Sequence, residues 1–212
     1  VQSFIDRYSI KNNDIIMDPF SGSGTTLLTA KQNNIDGIGF EINPFLKFVA
    51  SNKIINLSKK EKQLVFNYLE KIKFSKKINS SLIPKLSISR KLFGNKLGEI
   101  TNLKQQINKI NKKKIRNLFF LAFLCILENC SIAKKDGNGL KYKIGKKQLD
   151  VKKQFINKVQ QILQDLQNNS YPNSKQILFN EDIRKLNQII KNKKFNIIKN
   201  NKNKISLIIF SP

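Results

Sequence analysis

The sequence predicts an α/β fold built on a partial parallel sheet of about four strands, with a large helical insertion between strands two and three. Residues 14–42 contain an apolar strand, a glycine-rich turn, a helix and a second strand, which together form one βαβ unit. Two more strand-like runs follow at 174–182 and 204–212. About 135 residues separate strands two and three, whereas an ordinary crossover needs a few tens at most.

The first 56 residues predict alternating helices and strands. Residues 2–8 are typical of a helix, and "DIIMDPF" (14–20) is an apolar run closed by a proline, which indicates a buried strand. "GSGTTLLTAKQNN" (22–34) predicts a tight turn and a helix that ends at its two asparagines. "DGIGFEI" (36–42) is the second strand. A helix is then expected from Asn43 and Pro44 to about residue 56.

The rest of the chain predicts four helices, three loops and two strands. Helical periodicity covers 58–74, 100–113, 115–130 and 151–168. "SSLIPKLSIS" (80–89), "KLFGNKLG" (91–98) and the basic "KKDGNGLKYKIGKK" (134–147) are predicted loops because of their glycine, proline and serine. "SKQILFNEDIRKL" gives the third strand and a short helix to about residue 193, and "KISLIIFSP" gives the fourth strand. The expected domains are 1–56 and 176–212, which form the sheet, and the insertion 57–175.

Charge is distributed unevenly along the chain. Residues 1–56 carry five Lys/Arg and five Asp/Glu, whereas residues 57–175 carry 27 against seven, a net charge of +20. The coding bias of an A/T-rich genome would also raise the lysine count, but it would have affected the first segment too. The middle region is therefore predicted to face a polyanion, with DNA as the expected partner. A solvated loop is the alternative for the lysines that flank its glycines: Lys134, Lys135, Lys141, Lys143, Lys146 and Lys147.

Several functional classes are excluded by what the sequence lacks. It contains no histidine, so an imidazole base or a histidine-ligated metal plays no part, and no metal site is expected. Cys125 and Cys130 form neither a disulfide framework nor a zinc pattern, and they are expected to be reduced core residues of a cytoplasmic protein. No apolar run reaches the length of a membrane span. The chain begins at Val1 and stops just after a strand-like run, which indicates a fragment.

The glycine turn is flanked by two acids that decide its ligand. "FSGSGTTL" lacks the lysine of a P-loop, and a dinucleotide fold needs a third glycine and gives no reason for Asp18. Asp18 at the end of strand one suits a cationic amino group, and Glu41 after strand two suits ribose hydroxyls. S-adenosylmethionine carries both groups. Asp182, or Glu181 in its place, would then meet the adenine amine. The structural alternatives are helix caps for Asp18, Asn43 and Asp182, and a solvated strand end for Glu41.

These motifs resemble those of the DNA amino-methyltransferases. "DPFSGSGTTLLTA" is similar to the cofactor motif of that family, "GIGFEINP" to its second-strand motif and "LFNEDIRKL" to its third. The terminal "IIFSP" resembles the start of S-P-P-Y, the catalytic loop, whose serine form is more typical of cytosine-N4 than of adenine-N6 enzymes. The rest of S-P-P-Y and further strands of the sheet are absent. The insertion matches the family only loosely.

The resemblance implies a Rossmann-like sheet and an S-adenosylmethionine-dependent enzyme of the restriction-modification type. This enzyme would methylate an exocyclic amine of a base flipped out of duplex DNA, with cytosine N4 as the favoured target and adenine N6 as the other. The chain itself is expected to be inactive. Methylation of RNA bases and a basic nucleic-acid-binding protein without catalysis remain the alternatives. The implied catalytic residues are Ser211 and Pro212. The implied cofactor residues are Asp18, Pro19, Phe20, Gly22, Gly24, Thr25, Glu41, Asn43, Asp182 and Ile183.

Overall fold

A computed structural model describes residues 1–12, 14–77, 88–137, 139–143, 145–168, 174–189, 191 and 205–210. The chain divides into two compact units. One unit comprises Val1–Asn56 and Leu166–Pro212, and the other comprises Leu57–Asp165.

The first unit contains a four-stranded sheet in which every pairing is parallel. Its strands are β1 (Ile15–Asp18), β2 (Asp36–Phe40), β5 (Gln176–Phe179) and β6 (Ile205–Ile208), arranged in the order β5-β2-β1-β6. This is the order 3-2-1-4 of a doubly wound fold, in which the chain moves outward from a central first strand in both directions. The predicted α/β fold with a four-stranded parallel sheet is confirmed.

Apolar side chains on both faces of the central strands hold the sheet together. All residues of β1 and β2 are buried, as expected for parallel strands covered on both sides. Ile15 and Met17 pack on one face with Phe40 and Phe179, whose rings stack at 5.3 Å. Ile16 packs on the other face against helices. The helices of this unit are α1 (Gln2–Arg7), α2 (Thr25–Gln32), α3 (Pro44–Lys53) and α9 (Leu186–Ile189).

The second unit is mainly helical. It contains α4 (Lys59–Lys71), α5 (Ile88–Phe93), α6 (Leu97–Asn108), α7 (Lys113–Ile126) and most of α8 (Val151–Asn168). Ser58 and Glu61 form a reciprocal capping box that begins α4. Buried residues at helical spacing face the core, and Phe119 meets Phe155 of α8 edge to face at 5.6 Å. Within the described parts of the chain, none of the helices combines the length and the apolar character that a bilayer crossing needs.

One predicted loop of this unit is wrong. "KLFGNKLG" is helical: α5 and a 3₁₀ turn (Gly94–Lys96) lead directly into α6. Gly98 lies inside α6, where an added Cβ would approach the carbonyl oxygen of Lys76 to 2.2 Å, so this glycine permits a close contact and does not break the helix. Of "SSLIPKLSIS", residues 80–87 lie outside the described residues, and Ile88 and Ser89 begin α5.

The basic segment 134–147 is also not simply a loop. It forms most of an antiparallel pair, β3 (Ala133–Asp136) and β4 (Gly139–Tyr142), in which Lys134 lies opposite Lys141. Strand residues alternate between faces with period two, and the two glycines at 137 and 139 favour a tight reversal, so the composition that predicted a loop is that of a short hairpin. We call β3 and β4 the basic ribbon.

Candidate active site at the carboxyl ends of the strands

The sheet order brings three of the predicted site segments to one edge. Because β1, β2 and β5 are parallel neighbours, the segments at their carboxyl ends lie side by side. These are Asp18 to Phe20, Glu41 to Asn43, and Glu181 to Arg184. The strand order changes direction between β1 and β6, which is where ligands of open α/β sheets bind.

The glycine turn that follows β1 is tightly fitted to its neighbours. Gly22 and Gly24 have positive φ angles of 50° and 81°. The Gly24 amide donates to the Ser21 carbonyl at 2.7 Å, and Gly24 is the N-cap of α2. A Cβ at Gly24 would lie 2.6 Å from Cβ of Ala50 in α3. Both the backbone conformation and the packing therefore require glycine at this position.

Gly39 of β2 allows this turn to lie close to the strand. The Ser21 amide donates to the Phe40 carbonyl at 2.9 Å, and its hydroxyl donates to the Asp18 carbonyl at 3.1 Å. A Cβ at Gly39 would come within 2.4 Å of this hydroxyl oxygen. Sequence reasoning did not identify this role of Gly39, although a glycine inside a strand is a recognised sign of close backbone approach.

Asp18 is a buried carboxylate at the end of β1, with 5% of its surface exposed. Its Oδ1 accepts a hydrogen bond from the Phe20 amide at 3.0 Å. Burial raises the pKa of Asp18, against hydrogen bonds from Thr26 and Phe20 that lower it, and the nearby charge of Glu41 raises it further. Among the described residues, Asp18 has no salt-bridge partner. A cationic ligand group would remove this electrostatic cost.

Glu41 lies directly after β2 and is also largely buried. Its amide donates to the Phe179 carbonyl at 3.0 Å, which holds it beside β5, and its Oε1 accepts from the Asn43 amide at 2.7 Å. Asn43 is the N-cap of α3, where its side chain accepts from the amides of Phe45 and Leu46. The structural alternative for Asn43, the start of the next helix, is therefore what its side chain does in this structure.

Asp182 caps the short 3₁₀ turn Ile183–Lys185 that follows β5. Its carboxylate accepts from the Arg184 amide at 2.9 Å and from the Arg184 guanidinium at 2.5 Å. These hydrogen bonds and the charge of Arg184 lower the pKa of Asp182 to about 2. Asp182 is therefore a carboxylate at neutral pH, and Arg184 is an ion-pair partner that the motif alone did not indicate.

A cavity of about 290 Å³ lies among these three segments. This volume is at the lower end of the range of small-molecule sites, about 300–1,000 Å³. Five of the predicted cofactor residues line it: Pro19, Phe20, Glu41, Asp182 and Ile183. The remaining wall consists of Phe40, Ile42, Glu181 and Arg184. Asp18, Gly22, Gly24, Thr25 and Asn43 are outside this wall.

An exposed aromatic pair joins the ends of β1 and β6. Phe20 and Phe210 are each 61% exposed, and their rings meet edge to face at 6.3 Å. Phe210 directly precedes Ser211 and Pro212, which lie outside the described residues. Sequence reasoning did not identify Phe210, because its partner is 190 positions away in the chain and only the sheet order brings the two rings together.

Comparisons with known proteins agree with this arrangement. Residues 1–53 match a family model described as DNA methylase. The Type II methyltransferase M.BsoBI of Geobacillus stearothermophilus is 28% identical over 246 residues, which cover all of this chain and 46% of the relative. M.MjaII of Methanocaldococcus jannaschii is 39% identical over 80 residues, 37% of this chain and 15% of the relative. The predicted resemblance to amino-methyltransferases of the restriction-modification type is confirmed.

The extent of the methyltransferase resemblance differs along the chain. M.HindIII of Haemophilus influenzae is 48% identical over 44 residues, 21% of this chain and 14% of the relative. The chain spans less than half the length of M.BsoBI, the relative that it matches over its whole length. No solved structure gives a significant match.

The six predicted nucleic-acid lysines lie on and beside the basic ribbon, in the second unit. Lys134, Lys135, Lys141, Lys143 and Lys147 are exposed. Lys146 differs: it is half-buried, and its ammonium donates to the carbonyl oxygens of Glu128, at 2.6 Å, and Ala133. Lys146 therefore links the start of β3 to the segment that follows α7.

Proposed function

We propose that the protein containing this chain is an S-adenosylmethionine-dependent DNA methyltransferase that modifies an exocyclic amine of a flipped base, with cytosine N4 as the favoured target. The observation that carries the proposal is the buried carboxylate of Asp18 beside the glycine turn, which has no salt-bridge partner among the described residues, together with the cavity bounded by Glu41. The DNA methylase match over residues 1–53 includes Asp18, the glycine turn and Glu41, but not the part of the cavity wall that follows β5. The names of the relatives, Type II methyltransferases, support the restriction-modification role.

The residues present fit this cofactor. Asp18 would hold the amino group of the methionine part, because a cation there offsets the burial that raises its pKa. Glu41 would accept hydrogen bonds from the ribose hydroxyls, and Asp182 from the adenine amine. Pro19, Phe20 and Ile183 provide apolar wall. Gly22, Gly24 and Thr25 would shape the turn beneath the cofactor, and Asn43 would fix the Glu41 carboxylate through its amide.

The chemistry rests on two further residues that the resemblance implies. When bound, the cofactor would supply a methyl group: the amine lone pair would form the new nitrogen–carbon bond, the electrons of the broken carbon–sulfur bond would stay on sulfur, and one amine proton would pass to solvent water. The Ser211 side chain and the Pro212 carbonyl would accept hydrogen bonds from that amine, which returns electron density from the ring to nitrogen. This mechanism requires no histidine and no metal.

Binding of the cofactor is tested by calorimetry with two ligands. S-adenosylmethionine contains the amino acid part, whereas 5′-methylthioadenosine lacks it. Asp18→Ala removes a charge-assisted hydrogen bond worth about 1.5–3 kcal/mol, so the affinity for S-adenosylmethionine should fall about tenfold to a hundredfold. The affinity of Asp18→Ala for 5′-methylthioadenosine should stay close to that of the parent chain. Glu41→Ala should weaken both ligands alike.

Asp14→Ala is the matched control, since Asp14 is an acid that lies just before β1, at the opposite end of the strand from Asp18. It should bind both ligands as the parent chain does. Equal weakening of both ligands in Asp18→Ala would contradict the orientation of the cofactor. Absence of binding in the parent chain would refute the cofactor assignment and favour a basic nucleic-acid-binding protein. Competition of RNA against DNA in a methylation assay separates the RNA alternative.

A further inference from the structure

The basic ribbon is positively charged and, apart from Ala133, exposed. Its two strands contain three lysines and one acid, and three more lysines follow β4 within residues 143–147. Around Gly137 and Gly145, no heavy atom lies within 4 Å of an added Cβ, so both positions face open space. On one face Lys134 lies opposite Lys141, which pairs with Asp136. On the other face Leu140 and Tyr142 are 63% and 51% exposed, and the exposed Lys135 lies opposite Leu140. The ribbon therefore presents two lysines and one acid on one side, and two exposed apolar side chains with one lysine on the other.

The base of the ribbon is firmly anchored in the helical unit. The Ile132 amide donates to the Leu92 carbonyl, and the Lys143 amide donates to the Ile132 carbonyl, both at 3.0 Å. The Gln148 side chain donates to carbonyls of α5 and Cys130, the closest at 2.9 Å. Lys146 donates to two further carbonyls. An anchored base and exposed strands are the properties of an element that contacts a partner in a fixed orientation.

We infer that the basic ribbon enters the major groove of B-form DNA, with lysines toward the phosphates and Leu140 and Tyr142 toward base edges. This inference rests on the proposed function in that the partner is duplex DNA. Four residues of strand extend about 13 Å, and the major groove, about 12 Å wide, admits a two-stranded ribbon. Exposed lysines supply counterion release, whereas apolar side chains at the same ribbon can contact thymine methyl groups.

The shape of the ribbon favours DNA over duplex RNA. The major groove of A-form RNA is deep and narrow, so side chains on a ribbon cannot reach its bases. A purely electrostatic surface would bind both polyanions, since both carry phosphates at high density. Preference for the B-form is therefore the property that separates groove entry from nonspecific attraction to charge.

The test measures fluorescence anisotropy of a labelled 20-base-pair DNA duplex with the 212-residue chain over a salt series. In the ribbon variant, Lys134→Gln with Lys141→Gln, losing two phosphate contacts should reduce the slope of log affinity against log salt by about 1.8. That difference corresponds to about a 60-fold change in relative affinity between 1 M and 0.1 M salt. Tyr142→Ala should lower the affinity with an unchanged slope. The matched control is Lys59→Gln with Lys60→Gln, exposed lysines of α4, which should leave the slope near the parent value.

A duplex whose pyrimidine C5 positions carry bulky groups, which fill the major groove, should bind the parent chain weakly, and duplex RNA of equal sequence should compete poorly. Equal binding of the RNA duplex, or equal slopes for the ribbon and control variants, would overturn the inference. Calorimetry with S-adenosylmethionine on the same ribbon variant keeps the two proposals separate. If the chain binds the cofactor but the DNA-binding results contradict groove entry, only the proposal for the ribbon is refuted. If the DNA-binding results agree with groove entry but the chain does not bind the cofactor, only the cofactor site is refuted.

Discussion

Gly24→Ala tests whether the glycine turn is fixed by packing as well as by backbone conformation. At φ +81° an alanine costs about 1–2 kcal/mol. Its Cβ would also lie 2.6 Å from Cβ and 3.0 Å from Cα of Ala50, closer than real contacts allow, and such overpacking typically costs about 1–3 kcal/mol. The free energy of unfolding should therefore fall by about 2–5 kcal/mol.

Gly22→Ala provides the matched control within the same turn. Gly22 also has a positive φ, of 50°, but the nearest atom to its added Cβ is the Phe20 carbonyl oxygen at 4.0 Å. The free energy of unfolding of this variant should fall only by the conformational cost, about 1–2 kcal/mol. The difference between the two variants, measured by urea denaturation with circular dichroism, isolates the contact between the turn and α3.

A double-mutant cycle with Ala50→Gly completes this test. Ala50→Gly alone should cost about 1–2 kcal/mol, through helix propensity and the loss of a buried methyl group. Combined with Gly24→Ala it removes the 2.6 Å clash, so the double variant should be less destabilised than the sum of the single changes. Additive effects, or equal losses in Gly24→Ala and Gly22→Ala, would refute the packing explanation.

Three further predictions concern charge and packing elsewhere in the chain. Burial raises the pKa of Asp18, so the ionised carboxylate destabilises the folded chain at neutral pH. Asp18→Asn should therefore raise the free energy of unfolding at pH 7. This gain should disappear as the pH falls toward 3.8, the usual pKa of an aspartate. The capping hydrogen bonds with Ser58 and the hydrogen bond from Lys114 lower the pKa of Glu61 below 4.5, so Glu61→Gln should destabilise the chain at pH 7 and progressively less below pH 4.5. Gly98→Ala should lower the urea midpoint, since its Cβ would meet a backbone carbonyl at 2.2 Å.

Each of these predictions has a specific contradiction. Loss of stability in the ligand-free Asp18→Asn chain at pH 7 would show that the carboxylate is better satisfied than its surroundings indicate. Glu70→Gln, which removes an exposed carboxylate from the same helix as Glu61, should change little at any pH. If it matched Glu61→Gln, the capping box would not be responsible. For Gly98→Ala, an unchanged urea midpoint would contradict the tight contact in α6.

The parts of the fold predicted correctly are those with a strong local signal. The apolar run before Pro19 predicted β1, and the glycine turn predicted the start of α2. The periodicity of 151–168 predicted α8. All three agree with the structure to within a few residues. Glycine was ambiguous elsewhere. At Gly94 and Gly98 it accompanies helices, and at Gly137 and Gly139 it accompanies a hairpin, although composition predicted loops in both places.

The candidate site shows the same division. The positions of Asp18 and Glu41 at the carboxyl ends of two strands could be predicted, because Asp18 ends β1 and Glu41 follows β2 within one βαβ unit. The ion pair of Asp182 with Arg184 depends on side-chain conformation in a 3₁₀ turn, and the contact of Phe20 with Phe210 depends on β6 pairing with β1. Neither contact could be predicted from the sequence pattern. Ser211 and Pro212 remain predictions from the resemblance.

Transfer of a labelled methyl group from S-adenosylmethionine to duplex DNA tests the central proposal most directly. The protein that contains this chain should transfer the label, and digestion of the product should release it as N4-methylcytosine. At S-adenosylmethionine concentrations well below saturation, Asp18→Ala should lower the transfer about tenfold to a hundredfold, whereas Asp14→Ala should retain it. Undiminished transfer by Asp18→Ala, or no transfer by the parent protein, would contradict the assignment of this site.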